Sequence, residues 1–148
     1  MTRFQTLTVA FVACALAGAS AFAQTRTFDG NNDADGGDGT TYADPLNWTG
    51  DDVPNTGGEH AEIDGGDAWD VLLTGGIKIG NLTVGADDML TIGNAGLLGV
   101  NSVTADGNIL VQSTGSVTQL RLDANQLFTG LGSVTLSGVN ARLTGDAG

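Results

Sequence analysis

A chain of 148 residues with 17 acids, 5 bases and a net charge of −12 repels both nucleic acid and anionic membranes. Glycine makes up 24 of those residues, more than twice the usual share of about 7%, but there are only 2 prolines and the second half is rich in Val, Ile and Leu. Collagen and plain disorder are therefore excluded, and the length suffices for one domain with its own core.

The first segment, residues 1–23, carries Arg3, an apolar run from Leu7 to Ala19, and Ala21-Phe22-Ala23 before Gln24. A basic start, a short apolar run and a small-residue cleavage site predict a secretory signal peptide. The run is too short for a stable membrane span, and no later run could cross a bilayer. Lipidation at Cys14 is the alternative, but the Leu usual three residues before such a cysteine is missing. Cys14 is the only cysteine, so the cleaved chain has no disulfide and relies on packing and strand pairing.

Residues 24–70 form an acidic segment. Twelve acids fall between Asp29 and Asp70, and no Lys or Arg occurs between Arg26 and Lys78. Gly, Asn, Asp and Thr dominate, which predicts turns and loops. Two groups of anchors interrupt it: Tyr42, Leu46 and Trp48, then Ile63, Trp69 and Val71. They are expected to seal the first coil of the fold that follows, as an irregular N-terminal cap. The alternative is that Tyr42, Trp48 and Trp69 stack on sugar rings.

The run Asp29 to Asp38 raises a calcium expectation. Hard cations take oxygen ligands at alternating positions around a sharp glycine turn. Asn31, Asp33, Asp35 and Gly36 fit positions 1, 3, 5 and 6 of such a loop, but Tyr42 stands where a bidentate Glu belongs. The candidate ligands are Asp29, Asn31, Asp33, Asp35 and Asp38, set against a solvated acidic loop. His60 is the only histidine and has no second His or Cys to complete a transition-metal site, so it is expected to be exposed beside Glu59 and Glu62.

Residues 71–148 repeat. Leu90, Ile92, Gly96 and Leu98 return in the same spacing as Ile109, Val111, Gly115 and Val117. Leu110 to Thr118 in turn matches Leu127 to Thr135, and Gly-Ser-Val-Thr is identical in the two. Apolar residues alternate in short bursts: Ile77/Ile79, Leu82/Val84, Leu90/Ile92, Ile109/Val111, Leu120/Leu122 and Val134/Leu136. Period two between turn residues predicts strands of roughly 3–5 residues and almost no helix. Such strands, returning every 17–20 residues or so, predict an all-β fold, a right-handed parallel β-helix or β-solenoid. Successive coils would lie about 4.8 Å apart, with Gly96, Gly115 and Gly132 at one corner. The last residues, Leu143 to Gly148, read like the middle of another turn, so the chain is expected either to be truncated there or to be a piece that continues or stacks on a partner.

Several of these motifs together resemble secreted bacterial β-solenoid surface proteins of the autotransporter passenger-repeat and PEP-CTERM types. They are Phe28-Asp29-Gly30, Asp44-Pro45-Leu46-Asn47-Trp48, Val53-Pro54, Ala61-Glu62-Ile63, Asn81-Leu82-Thr83-Val84 and Leu90-Thr91-Ile92. Phe28 stands where those proteins often have Trp. The resemblance implies an extracellular or cell-surface location and no particular activity.

Three functions are weighed. The leading expectation is a non-catalytic structural or adhesive solenoid, with surface glycans or other solenoid chains as partners. The second is a calcium-dependent glycan-binding module. The third is a polysaccharide-degrading β-helix, which would need carboxylate pairs or a basic residue on neighbouring coils. The repeat region and its boundary offer only Asp70, Asp87, Asp88, Asp106, Asp123, Asp146, Lys78, Arg121 and Arg142, with Asp87 and Asp106 spaced to stack. That pair is expected to be turn residues, and the sequence carries no nucleophile elbow, P-loop or Ser/His/Asp constellation, so no enzyme is expected.

Overall fold

The structure, a computed structural model, describes residues 23–30 and 36–145. The signal-peptide expectation falls almost wholly outside them. Among the described residues the chain is all-β, a β-solenoid of about four turns, without an α-helix. Its strands are β1 (Thr25–Thr27), β2 (His60–Ile63), β3 (Asp70–Leu73), β4 (Gly76–Lys78), β5 (Asn81–Val84) and β6 (Met89–Ile92). They continue as β7 (Leu97–Ala105), β8 (Asn108–Gln112), β9 (Thr118–Thr129), β10 (Ser133–Ser137) and β11 (Ala141–Gly145).

One sheet, the back sheet, runs β3-β6-β8-β10, and the other runs β1-β2-β5-β7-β9-β11 with β4 also on β7. Every ladder between the described strands is parallel. The second sheet has two limbs. Leu97 to Gly99 takes β4, and Ser102 to Ala105 takes β5, with an irregularity between Val100 and Ser102. That bulge turns the corner without ending the strand. Hence β7 and β9 reach 9 and 12 residues, longer than the expected strands. Each coil thus has three sides, and each side sends residues into the same apolar lumen.

Period-two alternation decides what is inside. Leu90, Ile92, Leu98, Val100, Val103, Ala105, Ile109, Val111 and Leu120 all lie in the buried core. Leu90 stacks on Val71 below and Ile109 above, and Leu98 lies between Ile77 and Leu120. The first predicted repeat is therefore a true coil at Leu90 to Ile109 and Ile92 to Val111, but not at its end, where Leu98 pairs with Leu120 and Val117 is exposed. The second is not. Leu110 pairs with Thr135 instead of Leu127, while Leu127 pairs with Ser102.

The corners explain the difference. Gly96 and Gly115 both lie between the back sheet and the first limb, where Asn94 Oδ1 accepts from the amides of Thr114 and Ser116 at 3.0 Å. Gly132 belongs to another corner, between the second limb and the back sheet, on top of Gly107. A Cβ on Gly132 would strike the Gly107 carbonyl, and one on Gly107 would strike the carbonyls of Gly85 and Asp88. Close backbone approach requires glycine there.

The first coil is closed. Residues Thr40 to Tyr42 cover the outer edge of β3: Leu72 N donates to Thr40 O at 2.7 Å, and Tyr42 N to Leu72 O at 2.9 Å. β1 covers the edge of β2, itself inside the acidic segment. Asn47, fully buried, ties this cap together. Its Nδ2 donates to Asp38 Oδ1 (2.8 Å) and Thr41 O (2.9 Å), and its Oδ1 accepts from Gly39 N (2.9 Å). Asn47→Ala leaves these groups unpaired and is expected to cost about 1–3 kcal/mol in urea unfolding. An unchanged midpoint would contradict that role.

Candidate functional site

The residues marked by the sequence do not gather into one place. Of the calcium candidates, Asn31, Asp33 and Asp35 lie outside the described residues. Asp29 and Asp38 both meet Asn47: Asp29 N donates to Asn47 O at 3.0 Å, and Asp38 takes the Asn47 side chain. Asp38 Oδ1 also accepts from the amides of Thr40 (2.8 Å) and Thr41 (2.7 Å). The Thr41 and Asn47 hydrogen bonds hold its carboxyl well below the usual range. Among the described residues, no three His, Cys, Asp or Glu side chains converge as a metal site.

Tyr42 and Trp48 are fully buried and Trp69 nearly so, which corrects the sugar-stacking alternative. These rings cannot offer a face to a ligand. They pack edge-on with Phe28 instead: 5.2 Å for Phe28 to Trp48, 5.4 Å for Phe28 to Trp69, and 4.7 Å for Tyr42 to Trp48. His60 is half-buried rather than exposed, in a shallow polar groove with Thr25, Glu62, Asn81 and Thr83 on the outer face of the second limb.

Asp87 and Asp106 share one corner. Asp106 Oδ1 holds the amide of Leu131 at 2.9 Å, which is a turn-holding contact. Beside them Asp88 is buried and accepts from Trp69 N at 2.8 Å, and burial raises its carboxyl.

A buried carboxylate that the sequence did not single out clamps three coils. Asp123, whose side chain is 5% exposed, takes Arg121 Nε on Oδ1 and Lys78 Nζ on Oδ2, each at 2.7 Å. Lys78 and Arg121 flank Gly99 in register, and Gly99 leaves the space. A Cβ there would lie 3.3 Å from Arg121 Nη2 and 3.4 Å from Asp123 Oδ2. The hydrogen bonds from Arg121 and Lys78 lower the Asp123 carboxyl. Its stabilisation is therefore present above the unfolded carboxylate value of about 3.9 and is lost as pH falls through the lower folded value. Asp123→Asn is expected to cost about 1–2 kcal/mol at neutral pH and progressively less in acid, read by urea melts across that range. A cost independent of pH would show that the charge is not what matters.

The most distinctive surface is the open end. Among the described residues, six large exposed apolar side chains fall between Leu127 and Leu143. Three of them repeat lumen positions of the coil below. Phe128 (40% exposed) lies on Val103, Leu136 (48%) on Val111 and Leu143 (46%) on Leu120, whose three partners are fully buried. Leu131 and Val139 project from the corners at 96% and 97% exposure. β10 and β11 end their sheets, so each has one bare hydrogen-bonding edge among the described residues. A bare parallel edge around an apolar lumen can pair with backbone and bury side chains together.

No helix among the described residues is long and apolar enough to cross a membrane. Compared with family models, curated proteins and solved structures, the chain has no significant match.

Proposed function

We propose that this chain is a non-catalytic β-solenoid with a structural or adhesive role, secreted or held at a cell surface. Its working surface is the apolar top of the last described coil, where further solenoid coils stack. The observation that carries this is the apolar lumen of Phe128, Leu136 and Leu143, which among the described residues stands uncovered on buried equivalents beside unpaired strand edges. A large exposed apolar patch next to an unpaired edge is an association surface. The resemblance of the cap motifs to secreted bacterial surface solenoids supports the location, as does the leader-like start.

The test is light scattering of the purified chain and of Leu136→Asp over a range of concentrations. The native chain is expected to associate as concentration rises and the variant to remain monomeric. A native chain that stays monomeric throughout would overturn the proposal.

A further inference from the structure

The period-two pattern that sends Ala61, Leu82 and Val103 into the lumen turns their neighbours outward on the second limb. Those neighbours form two polar columns in register. One is Thr25, His60, Asn81 and Ser102, and the other is Thr27, Glu62, Thr83 and Thr104. Hydrogen bonds tie the columns at both ends. Thr27 Oγ1 donates to Glu62 Oε2 at 2.9 Å, Ser102 Oγ donates to Asn81 Oδ1 at 2.7 Å, and the Thr104 and Thr129 hydroxyls meet at 3.1 Å. Between β2 and β5 neither column is bridged among the described residues. There the face opens into a groove of about 320 Å³, lined by Thr25, His60, Ala61, Glu62, Asn81 and Thr83. The groove lies on coils that are covered on both sides, since β2 sits between β1 and β5, and β5 between β2 and β7.

The groups left over in the groove are of mixed kind. Among the described residues Glu62 Oε1, Asn81 Nδ2 and the Thr83 hydroxyl have no partner, and they offer an acceptor, a donor and a group that does both. His60 Nδ1 is buried without a partner, which leaves Nε2 as the nitrogen a ligand can reach. Donors and acceptors side by side match hydroxyls, which are both. An anion would meet Glu62 and a chain of net charge −12. A hard cation would find one carboxylate, and a bare ammonium would face the Asn81 donor. An apolar ligand would find no apolar wall, since Ala61 is buried. The columns also run along the solenoid axis, one step of about 4.8 Å per coil, and Ser102, Thr104 and Thr129 carry hydroxyls on past the groove. An extended glycan advances by close to one coil height per sugar.

We propose that the outer face of the second limb binds a neutral linear polysaccharide along the solenoid axis, with one sugar unit seated in the groove between β2 and β5. No aromatic ring lines the groove, so recognition is by hydrogen bonds instead of stacking. The site is independent of the association surface on the last described coil.

Nuclear magnetic resonance titration of the native chain tests this, with cellohexaose, maltohexaose and mannohexaose as neutral probes and the hexamers of galacturonate and glucosamine as charged ones. At least one neutral probe is expected to shift residues 60–62 and 81–83 saturably, with a millimolar Kd, and to bind more tightly than its own monosaccharide. Glu62→Ala with Asn81→Ala should weaken that binding about tenfold or more while the lumen methyl resonances stay in place. Thr83→Arg fills the groove without removing either group and should abolish the shifts. No saturable shift with any neutral probe would overturn the proposal. So would binding confined to a charged hexamer, or neutral binding that maps elsewhere and is unaffected by both variants.

Discussion

Trp48→Ala is expected to cost about 3–5 kcal/mol, the range for deleting a large buried aromatic. Trp48 is fully buried, and its loss empties the plug of the first coil. Its ring meets Phe28 and Tyr42 edge-on, and its Nε1 donates to Tyr42 O at 2.7 Å. Tyr42 is anchored in turn by its hydroxyl, which donates to Pro54 O at 3.0 Å. The deletion thus removes a packing unit and a link that holds two cap loops together. Trp48→Phe keeps an aromatic ring and loses the indole N–H, so about 1–3 kcal/mol is expected. Urea unfolding followed by circular dichroism reads both. A Trp48→Ala variant with a native midpoint would mean that the cap does not seal the core.

The second large effect is a contrast along one lumen column. Ile77, Leu98, Leu120 and Leu143 stack in register on successive coils. Leu98 and Leu120 are fully buried, and Leu143 is 46% exposed. Leu98→Ala and Leu120→Ala are expected to cost about 2–5 kcal/mol each, since they lose apolar transfer and leave a cavity. Leu143→Ala, measured on dilute monomer, leaves no closed cavity and is expected to cost less than about 1.5 kcal/mol. Equal costs at all three positions would mean that something covers the last coil even in the monomer.

Much of the fold was legible because the lumen imposes period two on every side of every coil. Leu90, Ile92, Ile109 and Val111 announced both strand and register, since Leu90 pairs directly with Ile109 and Ile92 with Val111. The match of Leu110 to Leu127 failed for a physical reason. Register is set by which side chains enter the lumen and by where backbones can approach at corners, as at Gly107 and Gly132. The identical Gly-Ser-Val-Thr segments mark similar local turns on different corners. The long strands were hidden because the bulge after Val100 interrupts the alternation while the ladder continues.

The candidate site was legible only in part. Its composition was hidden, because naming Phe128, Leu136 and Leu143 as lumen residues requires the true step in the back sheet, from Ile109 to Val134. The clamp on Asp123 joins it to Lys78 across two coils and has no local pattern. Its one trace was Gly99, a glycine inside an apolar strand, which marks close approach by something else.

The measurement closest to the central claim is methyl NOE spectroscopy on the native chain. Stacked coils place equivalent lumen residues about 4.8 Å apart, well within range. The account predicts contacts from Ile109 to Val134, from Val111 to Leu136 and from Leu98 to Leu120. Contacts joining Leu110 to Leu127 and Val117 to Val134, as the shorter repeat requires, would contradict the stacking on which the open end depends.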